Sequence, residues 1–152
     1  MNVLRFFKIM AVACILFGNG QQLYSQEKLG IGFIVGTPTA ISTQIRYPSE
    51  NSLDFLLAWE FNNWAFVQSH YDYTIETLES TPDYEIRVYA GPGLFLETER
   101  RHRSIAGFSG NIGVAWTFAR HFELFTEFSP KISIVPSTDL GLTGGFGFRY
   151  AL

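Results

Sequence analysis

The sequence predicts an all-β fold, an eight-stranded antiparallel up-and-down transmembrane β-barrel. Three observations predict it. From about residue 28 onward, apolar residues alternate with small or polar ones in eight successive runs. Alternation at period two puts each set on its own face of an extended strand. Short clusters of Gly, Pro, Asn, Asp and Ser separate the runs, and these residues make tight turns. Composition agrees: 16% of the 152 residues are charged, 16% are aromatic and 14 are glycine, whereas soluble domains carry roughly 25% charged residues.

The first strand is expected from about Lys28 to Val35, with Leu29, Ile31, Phe33 and Val35 on one face and Gly30 and Gly32 on the other. Gly36-Thr37-Pro38-Thr39 turns the chain into a second strand, Ala40 to Tyr47, where Ile41, Thr43, Ile45 and Tyr47 oppose Ser42, Gln44 and Arg46. After Pro48-Ser49-Glu50-Asn51, a third strand sets Leu53, Phe55, Leu57, Trp59 and Phe61 against Asp54, Leu56, Ala58 and Glu60. Asn62-Asn63 is a hairpin signal.

The fourth strand, Trp64 to Ile75, is weaker: Ala65, Val67, Tyr71, Tyr73 and Ile75 oppose Phe66, Gln68, His70, Asp72 and Thr74. A polar connection is expected over Glu76 to Asp83. The fifth strand sets Tyr84, Ile86, Val88, Ala90, Leu94 and Leu96 against Glu85, Arg87, Tyr89, Gly91, Gly93 and Phe95. Pro92 lacks a ladder donor, which predicts a bulge or kink there.

Glu97 to Ser104 is the most charged loop. The sixth strand sets Phe108, Ile112, Val114, Trp116 and Phe118 against Gly107, Ser109, Asn111, Gly113, Ala115 and Thr117. Ala119-Arg120-His121 turns into a seventh, Phe122 to Val135, whose second face holds Glu123, Phe125, Glu127, Ser129, Lys131 and Ser133. After Pro136-Ser137-Thr138-Asp139, the eighth has Leu140, Leu142, Phe146, Phe148, Tyr150 and Leu152 on one parity. Gly141, Thr143, Gly145, Gly147, Arg149 and Ala151 take the other. Most runs reach the 9–11 residues of a tilted transmembrane strand, the first two falling slightly short.

Residues 1–25 read as a secretory signal peptide, and 26–152 as the barrel domain. Arg5 and Lys8 make a positive start, Ile9 to Phe17 an apolar run too short for a spanning helix, and Leu23-Tyr24-Ser25 a cleavage site. Removing Arg5 and Lys8 from the 11 basic residues leaves 9 against 14 acidic ones, a mature charge of −5. In an acidic chain of this kind nothing suggests nucleic-acid binding, and no nucleic-acid partner is expected. The single cysteine, Cys14, follows Ala11-Val12-Ala13 as in a lipoprotein box, but apolar residues continue past it to Phe17. It is read as part of the discarded leader, so no disulfide is expected.

The two faces decide inside from outside. A soluble lipocalin-like barrel needs a charged outer face. Here the second face of the sixth and eighth strands is Gly, Ser, Asn, Thr and Ala with one Arg149, which fits a narrow lumen. The other face carries Phe, Trp, Tyr and Leu, too bulky to point inward from every strand. Tyr47, Trp59, Trp64, Trp116 and Tyr150 near strand ends suit interfacial girdles.

Leu29 to Ser42 (Leu-Gly-Ile-Gly-Phe-Ile-Val-Gly-Thr-Pro-Thr-Ala-Ile-Ser) resembles the first hairpin of the small spirochaete-type outer-membrane β-barrels, a domain family of unknown function with OmpA/OmpX-like architecture. Ser52-Leu53-Asp54 with Ala58-Trp59 is similar to that family's third strand, and Ile134 to Asp139 followed by Gly144 to Tyr150 to its closing hairpin. The resemblance covers nearly all of the mature chain. It implies a barrel in the bacterial outer membrane, names no catalytic residue and leaves activity open. The chain is expected to form a monomeric, porin-like barrel in contact with outer-membrane lipid and lipopolysaccharide. The ending Tyr150-x-Leu152 fits the hydrophobic signal read by the barrel assembly machinery.

The inward parity collects Asp54, Glu60, His70, Asp72, Glu85, Arg87, Glu123, Glu127, Lys131 and Arg149, expected as a structural acid–base network because charges in a narrow lumen must be paired or hydrated. A narrow pore is the alternative, opposed by Phe66, Tyr89 and Phe125 in the same lumen. A lipid A-modifying acyl hydrolase needs a base, a nucleophile and an orienting acid. His102-Arg103-Ser104 has a His-x-Ser spacing, but the position twelve residues on is Trp116 instead of glutamate. His70 and Asp72 share a face, and no serine is expected to join them; His121 reads as a turn residue. Arg100, Arg101, His102 and Arg103 form a basic loop expected to contact lipid phosphates, or a host glycan or protein. No metal or cofactor spacing is present, and the expected role is structural or adhesin-like, without catalysis.

Overall fold

The computed structural model describes residues 28–60, 64–98 and 104–152. The strands are β1 (Lys28–Thr37), β2 (Ala40–Arg46), β3 (Ser52–Glu60), β4 (Trp64–Ser80), β5 (Tyr84–Thr98), β6 (Ser104–Phe118), β7 (Phe122–Val135) and β8 (Asp139–Ala151). Each pairs antiparallel with the next, and β8 returns to β1 to close a barrel. No helix occurs among the described residues. The expected all-β, eight-stranded, antiparallel up-and-down barrel is the observed fold.

Closure has a definite stagger. Following paired residues around the wall from Tyr150 of β8 leads through Ile31, Thr43, Phe55, Ser69, Leu94, Phe108 and Ile132 to Leu140, ten residues away on β8 itself. Such a shear tilts the strands by roughly 40° and leaves an interior that side chains can just fill. All nine residues on that path belong to the parity that faces outward.

The alternation is realised inside out. Phe33, Phe55, Ile112, Phe128 and Phe146 stand exposed on the outer wall, while Ser42, Asp54, His70, Arg87, Glu127 and Arg149 are buried. Small residues inside make room for large ones. A Cβ on Gly147 would lie 2.2 Å from the Phe125 ring, and one on Gly113 would lie 2.5 Å from the Tyr89 ring. Each glycine therefore holds a seat for an aromatic residue from a neighbouring region of the wall.

Three local expectations are corrected. The polar connection from Glu76 to Asp83 is mostly strand: β4 runs to Ser80, with register shifts between Thr74 and Glu76 and between Thr77 and Glu79. A bulge inserts an extra residue and reverses the parity beyond it, so two of them erase the alternation that marks a strand. The bulge expected at Pro92 does not form. His70↔Gly93 and Tyr73↔Ala90 lie in one register, so the ladder to β4 is interrupted without being shifted, and β6 pairs through Pro92↔Gly110. The charged loop is also shorter than expected, because β5 and β6 pair out to Thr98↔Ser104.

One end of the barrel carries Lys28 and the turns at 47–51, 81–83 and 119–121. The other carries the β1–β2 and β7–β8 turns, and the rims from which β3 and β5 leave for 61–63 and 99–103. The wall is lowest there at the β1–β2 hairpin. Pairing of β1 with β8 stops at Thr37↔Gly144, and pairing of β2 with β3 stops at Ile41↔Leu57.

Candidate functional site

The lumen is built around two arginines. Arg149 donates from Nε to Ser42 Oγ at 2.8 Å, from Nη1 to Glu123 Oε1 at 2.9 Å and from Nη2 to Asp54 Oδ2 at 3.0 Å. Its guanidinium stacks 3.7 Å from the Phe125 ring centre. Arg87 donates to the other Glu123 oxygen at 2.9 Å and to Gln44 Oε1 at 3.4 Å. Gln44 in turn donates to Asp54 Oδ2 at 3.1 Å. Charge-assisted bonds to both faces of Glu123 lock β5, β7 and β8 together through side chains as well as backbone.

A second, weaker layer lies beside it. Tyr89 donates its hydroxyl to Glu127 at 3.2 Å, Asn111 donates to Asp72 Oδ2 at 2.8 Å and Ser129 donates to Asn111 Oδ1 at 2.9 Å. Asp72 is 1% exposed, and its Oδ1 has no hydrogen-bond partner among the described residues. His70 Nε2 lies 2.9 Å from Ser109 Oγ.

Each end is closed differently. At the end with Lys28, Arg46 pairs with Glu85. At the other, Lys131 Nζ donates to Glu97 Oε2 at 3.0 Å and rests over the rings of Phe66 and Phe95. The Trp64 indole donates to Glu97 Oε1 at 3.0 Å and stacks on Phe66. Above Lys131 and Phe95 opens a cavity of about 260 Å³, walled further by Glu97, Ile105, Ser133 and β8 from Asp139 to Gly141.

Of the expected lumen residues, Asp54, His70, Asp72, Arg87, Glu123, Glu127 and Arg149 are all buried together. Glu85 and Lys131 sit toward opposite mouths, half-buried, Lys131 with Ser133 still beyond it on the inward row of β7. Glu60 closes β3 opposite Trp64, and its side chain lies outside the described residues. So does the whole basic loop, Arg100, Arg101, His102 and Arg103. Ser104 opens β6 at one rim, and Trp116 is exposed on the outer wall near the other.

Two expectations about side chains are overturned. A serine does join His70: Ser109 reaches it from β6, 39 residues away in sequence. Ser109 was visible as inward-facing, and only the strand register brings it level with His70. Trp64 is not a girdle residue. It shares parity with Phe66 and Gln68 and turns into the barrel mouth, whereas Trp59, Trp116 and Tyr150 are exposed on the outer wall. Gln44, Asn111 and Ser129 lie on the inward parity and join the network as neutral members, a role that charge alone does not signal.

Fold and lumen together define a closed eight-stranded β-barrel filled by a hydrogen-bonded polar core, with an apolar outer wall. No protein-family model, no curated protein and no solved structure matches this chain. Among the described residues, no group of three or more His, Cys, Asp or Glu side chains can hold a metal ion.

Proposed function

We propose that this chain is an exported outer-membrane β-barrel with a structural or surface-contact, adhesin-like role and no catalytic one. Residues 1–25 serve as its signal peptide. The observation that carries the reading is the inverted polarity of the wall: charged side chains are buried inside, and large apolar ones are exposed outside around the full circumference. A soluble barrel exposing so continuous an apolar surface would aggregate, whereas hydrocarbon solvates it, and closure gives every strand two hydrogen-bonded neighbours, as a bilayer requires. Trp59, Trp116 and Tyr150 supply interfacial aromatics. The resemblance to small spirochaete-type barrels points the same way. Its partners are outer-membrane lipid and lipopolysaccharide along the wall, the assembly machinery during insertion, and a host glycan or protein at the loops.

The acyl hydrolase reading is weaker. The Ser109–His70 pair is the nearest thing to a nucleophile and base, but no carboxylate hydrogen-bonds His70 among the described residues, and neither residue borders the cavity. Membrane fractionation with a heat-modifiability gel tests the main reading. The protein is expected in the outer-membrane fraction, migrating faster unboiled than boiled. Recovery in the soluble fraction with one mobility overturns it.

A further inference from the structure

The low wall at the β1–β2 hairpin opens a lateral notch. Above the last β1–β8 pair, Thr37↔Gly144, the β8 residues 139–143 extend with no β1 partner. Across the gap, Trp59 extends past the last β2–β3 pair, Ile41↔Leu57. Three strand spacings of about 4.8 Å separate β8 from β3, so the notch is roughly 14 Å wide, ample for a hydrocarbon chain. The notch is bordered by apolar wall: Leu140 and Leu142 are 78% and 61% exposed and point outward.

The same segment, Asp139 to Gly141, paired with β7 on its other side, forms one wall of the 260 Å³ cavity. That cavity is amphipathic. Phe95 and Ile105 supply apolar surface. Lys131 donates to Glu97 and faces the Phe66 and Phe95 rings, and an anion in the cavity would share its ammonium with Glu97. Asp139 accepts its neighbour's N–H at Oδ1 and brings a second carboxylate oxygen to the cavity. Among the described lining residues one cation, Lys131, stands with two carboxylates, Glu97 and Asp139, a set that an ammonium and a phosphate on one ligand complement better than an anion alone. The volume suits a headgroup with a few methylenes, leaving the rest of a chain to lie on Leu140 and Leu142.

We propose that this notch and cavity bind a single-chain zwitterionic phospholipid of the lysophosphoethanolamine type, entering sideways from the membrane. Its phosphate meets Lys131, its ammonium meets Asp139, and its chain leaves across the β1–β2 hairpin. The inference rests on the membrane reading above.

The test uses the mature barrel in phosphatidylcholine vesicles, with lysophosphoethanolamine carrying a photoreactive group near the head of its chain. Lysophosphatidate and an alkylammonium with the same chain serve as comparison probes. Labelling is expected at Leu140–Leu142 and Ile105, well above that at Ile75 on β4, away from the notch, with the zwitterionic probe strongest. Lys131→Met should weaken it about tenfold, as loss of one charge-assisted bond does, and Ile105→Trp should abolish it by filling the cavity. Both variants are first checked for the heat-modifiability shift. Labelling spread evenly around the wall, or equal for all three probes, overturns the proposal while leaving the membrane reading intact. A barrel that fails to float with the vesicles overturns both.

Discussion

Arg149 Nη2 lies 3.0 Å from Asp54 Oδ2, joining the last strand to the third across 95 residues of sequence. Both side chains are almost wholly buried, and the same guanidinium holds Glu123 and Ser42. Removing one partner of such a buried set leaves uncompensated charge. Arg149→Met is expected to lower stability by about 3–5 kcal/mol, read from the urea midpoint of the refolded barrel in micelles. Arg149→Lys should recover only part of it, because an ammonium cannot reproduce the planar fork. A midpoint unchanged in Arg149→Met contradicts the network.

Asp72 is the opposite case. It is buried beside Asn111 with no ion-pair partner among the described residues. An unpaired carboxyl costs desolvation without Coulombic return, and an amide of the same shape can still accept from Asn111. Asp72→Asn is expected to raise stability by about 1 kcal/mol in the same unfolding assay. Destabilisation comparable to that of Arg149→Met means that Asp72 has a stabilising charge partner after all.

Ile112 tests which medium surrounds the wall. It stands in the middle of β6, 52% exposed. On a lipid-facing strand Ile112→Lys costs about 2–4 kcal/mol at mid-bilayer. On a water-facing strand the same change is nearly neutral. Vesicle insertion yield, compared with Lys28→Ala at the rim, separates the two.

The lumen is filled across its section by Arg149, Phe125, Arg87 and Tyr89, and by Phe66 above them. In planar bilayers the barrel is therefore expected to show no discrete conductance steps. Regular steps that survive Arg87→Ala and Arg149→Met alike contradict a sealed lumen and favour the narrow-pore alternative.

The closing strand carries both the ladder to β1 and the central arginine. Deleting Phe148 to Leu152 removes the pairs Phe33↔Phe148, Gly32↔Arg149 and Ile31↔Tyr150 together with the Arg149 network. Outer-membrane assembly is expected to fail, measured as loss of the fast-migrating unboiled band. Normal assembly of the truncation would falsify the closure described here.

The faces of the wall were legible residue by residue. Phe146, Phe148 and Tyr150 against Gly147 and Arg149 needed only the two-residue period of an extended chain. Trp64 was legible too: its parity with Phe66 and Gln68 points inward, although a strand end is also where girdle aromatics lie. The strand from Glu76 to Ser80 was not legible, because its bulges reverse the parity twice within a few residues. The site divides in the same way. Asp54, Arg87, Glu123 and Arg149 were readable as inward charges, but nothing local to Arg149 says that it meets Asp54 instead of Asp72, or that Ser109 meets His70.

What the sequence determined by itself is therefore a set of strands, each with an apolar and a polar side, because side-chain alternation is a property of one chain segment. What only the tertiary structure decided is which polar residues share a level inside the barrel and where its wall stands low. Those depend on the ten-residue stagger at closure, set by hydrogen-bond ladders between strands. A shift of one residue in any of them would turn a whole strand's polar face from lumen to exterior.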